Sequence, residues 1–317
     1  MNKKGFIYVI SASLLVVVLL IIFFSQQEFS YVDETKSELK RIGFANDFVE
    51  GFNQDLSRVL NIASFRSMIA LEEYVAVRGE FLNDTESAFM EMVQTGTYNE
   101  SSYEIMENSS LDEYLSRVNV IADRFGLSID VSINDIHLGH YDAWHLDVSV
   151  NASVFVEDKS GLAYWNYTKL FSSVVPIENL RDPLYSVNTR NRISNTILEF
   201  SEDSFVVGDD LSNFLDFVQH SYYVESSDAP SFIQRFSNNM SSSDYGIESI
   251  VNVLTISDQD LETYPGRVKI DYIYFNDLDV VDIRCDFEGV PFNYYLVLYN
   301  DSLERYGLED VDSSTEC

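Results

Sequence analysis

Histidines and carboxylates are the chemistry this sequence offers. His137, His140 and His145 fall around one expected hairpin turn, with Asp135 and Asp142 beside them. Imidazole and carboxylate together suit zinc or nickel, and a hairpin brings two strand ends close. The spacing follows no zinc-ligand pattern, and a polar surface hairpin accounts for the same residues. Calcium-type oxygen ligands occur at Asn276-Asp277-Leu278-Asp279 with Asp282, and at Asp209-Asp210. Neither run carries the Gly and Glu of an EF-hand loop in register. Gly-x-Ser-x-Gly, His-Glu-x-x-His and a phosphate-cradling Gly-rich loop are missing. His220 and Ser221 are mere neighbours on an expected helix, and carboxylates are so abundant that no pair stands out as acid and base. The expectation is a protein without cofactor, metal or enzymatic activity.

Two other sets of residues bear on covalent chemistry. Cys285 and Cys317 are the two cysteines. A bridge between them would close a loop of about 33 residues, worth about 3.5–4 kcal/mol in the chain-entropy picture. Two free thiols are the alternative. Asn-x-Ser/Thr sequons occur at Asn83, Asn99, Asn108, Asn151, Asn166, Asn239 and Asn300. They fit a glycosylated surface, or they are unused Asn-rich sequence.

These residues sit behind an N-terminus that fixes their location. Lys3 and Lys4 precede an uncharged, predominantly apolar run from Phe6 to Phe24, interrupted only by Ser11 and Ser13. About 19 residues at ~1.5 Å rise match a hydrocarbon core of roughly 30 Å. A secretory signal peptide needs small residues before its cut, whereas Phe23 and Phe24 stand there, so a retained anchor is expected. The lysines place residues 1–5 in the cytoplasm, residues 6–25 in the membrane and the rest outside.

Lys3-Lys4-Gly5 followed by Phe6 resembles the class III (prepilin) signal of type IV pilins and their archaeal relatives. The resemblance covers the N-terminal region only. It implies that a membrane peptidase cuts between Gly5 and Phe6 and that the apolar run stays on the mature protein, packed in a filament core. Ile10 departs from the pattern, since most bacterial pilins carry Glu there. An ordinary signal anchor, with lysines that merely set topology, is the other reading of the same residues.

Charge and composition bound the external part. Without Lys3 and Lys4, 18 basic residues face 52 acidic ones, a formal −34. Such a charge repels nucleic acid and anionic headgroups, so no nucleic-acid partner is expected. With 46% hydrophobic and 14% aromatic residues the chain is not disordered.

The periodicities predict an α+β fold: a transmembrane helix that continues into a long amphipathic helix, an antiparallel β-meander, and a second α+β half. Residues 26–125 read as a helical stalk and helical region. Apolar residues at Val32, Leu39, Ile42, Val49, Phe52, Leu56, Val59, Leu60 and Ala63 mark one face to about Leu82. Thr85 caps a short helix to about Met92. Ser110 to Glu113 has capping-box form and opens a helix to Phe125, with Leu111, Leu115, Val118 and Ile121 on one face. Residues 126–185 form the meander: Leu127 to Ile133 alternate, a turn follows at Leu138–Asp142, and Trp144 to Val156 alternate again. Residues 186–317 predict helices at Thr189–Phe200, Leu211–Tyr222 and after Ala229-Pro230-Ser231. Strands are predicted at Arg267–Phe275, Val280–Cys285 and Phe292–Tyr299, and a short helix from Ser302 precedes a polar tail.

The functional expectation is a membrane-anchored extracytoplasmic surface protein of structural or interaction type, a pilin-like or minor pilus subunit or an adhesin. Helix 6–82 would carry any homo- or hetero-oligomer. An external ligand-binding or sensory domain acting with a membrane partner is the alternative, and a surface hydrolase a further one.

Overall fold

The computed structural model describes residues 3–208, 210–259, 261, 267–276, 295–297 and 300–308. Within the first helix, side chains are described at 14–22 and from 36 onward. The chain divides into two compact units that interleave in sequence. The first comprises Met1–Asp55, Val118–Val131 and Ser153–Tyr167, and the second Leu56–Arg117, Ser132–Ala152 and Thr168–Cys317.

Helix α1 is one unbroken α-helix, Lys3–Arg78. It crosses Gly43 and Gly51, each of which costs a helix about 1 kcal/mol relative to Ala, with open space around both. It stops short of the expected Leu82 because Gly79 adopts φ 67° and returns its amide to the Val75 carbonyl. Its buried stripe in the first unit is Ala45, Val49 and Phe52, and in the second Leu56, Leu60, Ala63, Met68, Leu71 and Val75. The stripe starts later than the periodicity predicts: Leu39 is 63% exposed. Among the described residues no helix is long and apolar enough to cross a membrane. Residues 14–22 are the portion of the Phe6–Phe24 run whose side chains are described.

Helix α2 spans Thr85–Thr95 and is capped by Asp84, one residue earlier than expected, whose carboxylate accepts the Ser87 amide. A small hairpin, β1 Thr97–Tyr98 and β2 Ser101–Ser102, turns through Asn99 and Glu100, both at positive φ. Helix α3, Leu111–Arg124, begins with the expected capping box, Ser110 Oγ accepting the Glu113 amide at 3.4 Å. Its buried face is Leu111, Tyr114, Val118 and Ala122, while Ile121 points outward.

Strands β3 Leu127–His140, β4 His145–Asp158 and β5 Tyr164–Pro176 make one sheet in that order. Their short connections make them antiparallel. Strand β4 follows the predicted alternation, with Leu146, Val148, Val150, Ala152, Val154 and Val156 buried. Strand β3 runs on into the expected turn, as far as His140. Its buried set changes from Leu127 and Ile129 to Ile136 and Leu138, the alternation shifting by one residue across the exposed Asn134 and Asp135. Helix α1 is tied to β5 in each unit. Tyr167 donates to Asn53 Oδ1 at 3.1 Å in the first, and Asn61 Nδ2 donates to Ser173 Oγ and the Val174 carbonyl at 2.9 Å in the second.

The rest of the second unit is short pieces on an aromatic core: α4 Pro183–Asn188, α5 Ser212–His220, β6 Val224–Glu225, α6 Phe232–Phe236, β7 Ile247–Glu248, α7 Val253–Ser257, β8 Arg267–Lys269, α8 Asp271–Phe275, β9 Tyr295–Val297 and α9 Asn300–Arg305. Two expectations fail here. Thr189–Phe200 is not helical, because Arg190 and Asn191 take positive φ and Thr189 Oγ1 accepts the Ile193 amide. Arg267–Phe275 is a strand for three residues only, after which Asp271 opens α8. Strand β9 lies within the predicted Phe292–Tyr299 and pairs in parallel with β8. The predicted strand Val280–Cys285 lies outside the described residues.

Candidate functional site

The densest chemistry of the second unit is buried around Arg235. Helix α6 is started by a capping box between Ser231 and Gln234, and this sets Arg235 inward between Phe232 and Phe236. Arg235 Nη1 donates to Asp182 Oδ2 and to Asp271 Oδ2, both at 2.7 Å. Its Nη2 donates to the Ile247 carbonyl and, at 3.4 Å, to Asp271 Oδ1. The guanidinium lies 5.7 Å from the Tyr223 ring centre, within cation–π range. Arg235, Asp182 and Asp271 are wholly buried.

Asp182 caps α4, and Asp271 is the first residue of α8. Asp182 Oδ1 accepts the Leu184 amide at 2.8 Å, and Pro183 supplies the preset φ of the first helical position. Asp271 Oδ1 accepts the amide of Tyr272 at 2.7 Å. Tyr223 donates its hydroxyl to Asp182 Oδ2 at 2.8 Å and accepts from Asn195 Nδ2 at 2.8 Å. A neighbouring set joins Glu248 Oε1 to Arg305 Nη1 and to the Tyr306 hydroxyl, both at 2.8 Å. Arg305 also reaches exposed Asp228 at 2.6 Å. Unpartnered buried atoms remain at Arg235 Nε, Glu248 Oε2 and Glu72 Oε1.

Burial and charge set the protonation of this region. Desolvation pushes Glu72 up to about 8, against the amide and charge of Arg181. Desolvation also raises Asp271 to about 6, opposed by Arg235. Tyr185, Tyr223 and Tyr306 are pushed well above the usual phenol range by burial first and by nearby carboxylates second. Arg235 stays charged, because Asp271 and Asp182 outweigh its desolvation. The polar atoms of Asp182 and Asp271 that face Arg235 are committed to it, to Tyr223 or to helix amides. The arrangement locks together the chain segments around Asp182, Asn195, Tyr223, Arg235, Ile247 and Asp271; such networks are strongly destabilising to break from one side.

The three hairpin histidines are not brought together. His137 Nδ1 meets Glu86 Oε1 at 3.2 Å, His145 Nδ1 meets Asp142 Oδ1 at 2.8 Å, and His140 stacks on Tyr245 with ring centres 5.2 Å apart. Among the described residues no group of three or more His, Cys, Asp or Glu is arranged to hold a metal ion. Asp277, Asp279, Asp282 and both cysteines, Cys285 and Cys317, lie outside the described residues, as does Asp209. Gly5 and Phe6 lie within α1. Asn83, Asn99, Asn108, Asn166 and Asn239 are exposed and Asn151, on β4, is half-buried. Asn300 is the first residue of α9. A shallow cavity of about 270 Å³ lies among Thr95, Thr97, Tyr103, Glu104 and Glu113, the last of which is committed to the cap of α3.

Sequence reasoning missed Glu72, Asp182, Arg235 and Asp271. Two local signals were present: Asp182-Pro183 has the form of a helix start, and Ser231-x-x-Gln234 that of a capping box. Neither says that the arginine they orient is buried. No family model, curated protein or solved structure matches the chain.

Proposed function

We propose that this chain is a membrane-anchored extracytoplasmic surface protein of the structural or interaction class, with residues 6–25 crossing the bilayer once and the N-terminus inside. One observation carries the reading. Leu14 to Ile22 are uniformly apolar on a continuous helix, and each is between 45 and 62% exposed. A helix apolar on all sides belongs in lipid or a core. Leaving these side chains in water costs on the order of 10 kcal/mol, as much as many domains have in total. A bilayer, or helices of other subunits within it, supplies the missing cover.

Two further features support the placement. Helix α1 runs from the apolar run into its own folded units without a break. The acidic exterior keeps the folded part off anionic headgroups, and the exposed sequons suit a glycosylated face. The pilin-like reading of Gly5–Phe6 is the sharper form of the proposal, and association through helix 6–82 goes with it. Carbonate extraction of membranes from cells making the full chain, beside a chain lacking residues 6–24, tests the anchor. Recovery of the full chain in the soluble fraction would overturn it. The N-terminal residue of the mature protein then separates the two forms: Phe6 for a processed subunit, Met1 for a plain anchor.

A further inference from the structure

We infer that the interior of the second unit is a proton-dependent device: its folded state holds Glu72 protonated, so the fold is firmest on the acid side of neutrality and loosens in alkaline surroundings. The inference rests on which buried charges have partners. Among the described residues of this unit the buried acids are Glu72, Asp182, Glu248 and Asp271, and the buried bases are Arg235 and Lys269, the latter also engaged, with Arg305 half-buried. Arg235 serves both Asp182 and Asp271. Arg305 serves Glu248. Glu72, on the far part of α1, faces the backbone amide and charge of Arg181 and the negative charge of Asp182. The Arg181 side chain is exposed, and Glu72 Oε1 has no partner. A carboxylate in that position is relieved by taking up a proton rather than by pairing.

The sign follows from linkage. The folded state binds the Glu72 proton up to about pH 8, whereas an unfolded chain releases it near 4.5. Stability from this group is therefore complete below the unfolded value and is lost as pH rises toward 8. His140 works in the opposite sense. Burial lowers it to about 4, so it penalises the folded state below 6.5 and is silent above. Asp271, which faces Arg235, Asp182, Tyr185, Tyr223 and Tyr306, completes its change near 6. The window from 6.5 to 8 thus isolates Glu72 among these groups.

The test uses the full chain in detergent micelles, unfolded by urea at four pH values across that window, beside Glu72→Gln. Wild type should lose about 15-fold in its folded-to-unfolded ratio between pH 6.5 and 8, while the Gln variant, which mimics the neutral acid, stays level. A wild type that is level or gains across the window, or a Gln variant with the wild-type slope, overturns the inference. Where the variant does not fold, infrared difference spectra of wild type carrying ¹³C-glutamate give an independent readout. A protonated carboxyl band is expected at pH 7 that vanishes by pH 9, and its absence at pH 7 overturns the inference equally.

Discussion

Replacing Arg235 by methionine keeps the length of the side-chain stem and removes the cation that Asp182 and Asp271 share. Both carboxylates are wholly buried and take the same Nη1 at 2.7 Å. Removing one partner of a buried pair typically costs 3–5 kcal/mol, roughly, because the other charge is left without compensation. Here two charges are left, together with the Ile247 carbonyl and half of the Tyr223 environment, so the upper end of about 5 kcal/mol is expected. Urea unfolding followed by Trp144, which lies in the second unit, reads the effect once Trp165 is changed to Phe. The deficit should shrink as pH falls, since the orphaned carboxylates then neutralise. Adding Asp182→Asn and Asp271→Asn to Arg235→Met should recover most of it at pH 7. A loss below about 1 kcal/mol, the value of an exposed pair, would refute the reasoning.

Three other substitutions probe separate parts of the fold. Gly246→Ala would drive a Cβ into the backbone carbonyls of Ala229 and Ser226, which cannot swing aside as a side chain would; loss of the folded second unit in near-UV circular dichroism is expected. His140→Phe keeps the stack on Tyr245 and removes the titration, so relative to wild type it should gain about 2 kcal/mol between pH 6.5 and 4.5 in urea unfolding. Arg41→Met removes the 2.6 Å ion pair to buried Asp158, which is also held by Ser160 and the Leu162 amide. About 1.5–3 kcal/mol should be lost, read as faster hydrogen exchange of the Lys159 amide, which bonds the Gly126 carbonyl.

Elements whose period repeats were legible in the sequence. Strand β4 alternates over its whole length because one face is covered by apolar side chains and the other is polar. Ser110 and Glu113 announced α3 because a capping box is a local, two-residue arrangement. What could not be read was set by contacts distant in sequence. The helical look of Thr189–Phe200 lost to bridges from Arg181 to Thr196 and from Glu199 to Tyr223. The strand-like residues of Asp271–Phe275 became α8, whose first residue, Asp271, is held by Arg235 from 36 residues away. The phase of β3 shifts by one residue across Asn134 and Asp135, so Ile136 and Leu138 are buried where simple alternation from Ile133 would expose them. The buried charges were least legible of all, because an arginine beside two phenylalanines reads as a surface residue until its partners, 53 and 36 residues away, are seen to close on it.

Helix α1 brings these threads onto one element. It carries the exposed apolar residues Leu14–Ile22 near one end and Glu72 near the other, and it lends buried side chains to both units between them. Each unit's core is therefore incomplete without its share of α1: Ala45, Val49 and Phe52 in one, Leu60, Met68 and Leu71 in the other. A chain cut anywhere between residues 45 and 75 loses core as well as the apolar run, whereas a chain beginning after Phe24 loses only the run that water disfavours. The exposed apolar residues and the buried Glu72 are thus parts of one helix, and the residues between them are those the fold can least do without.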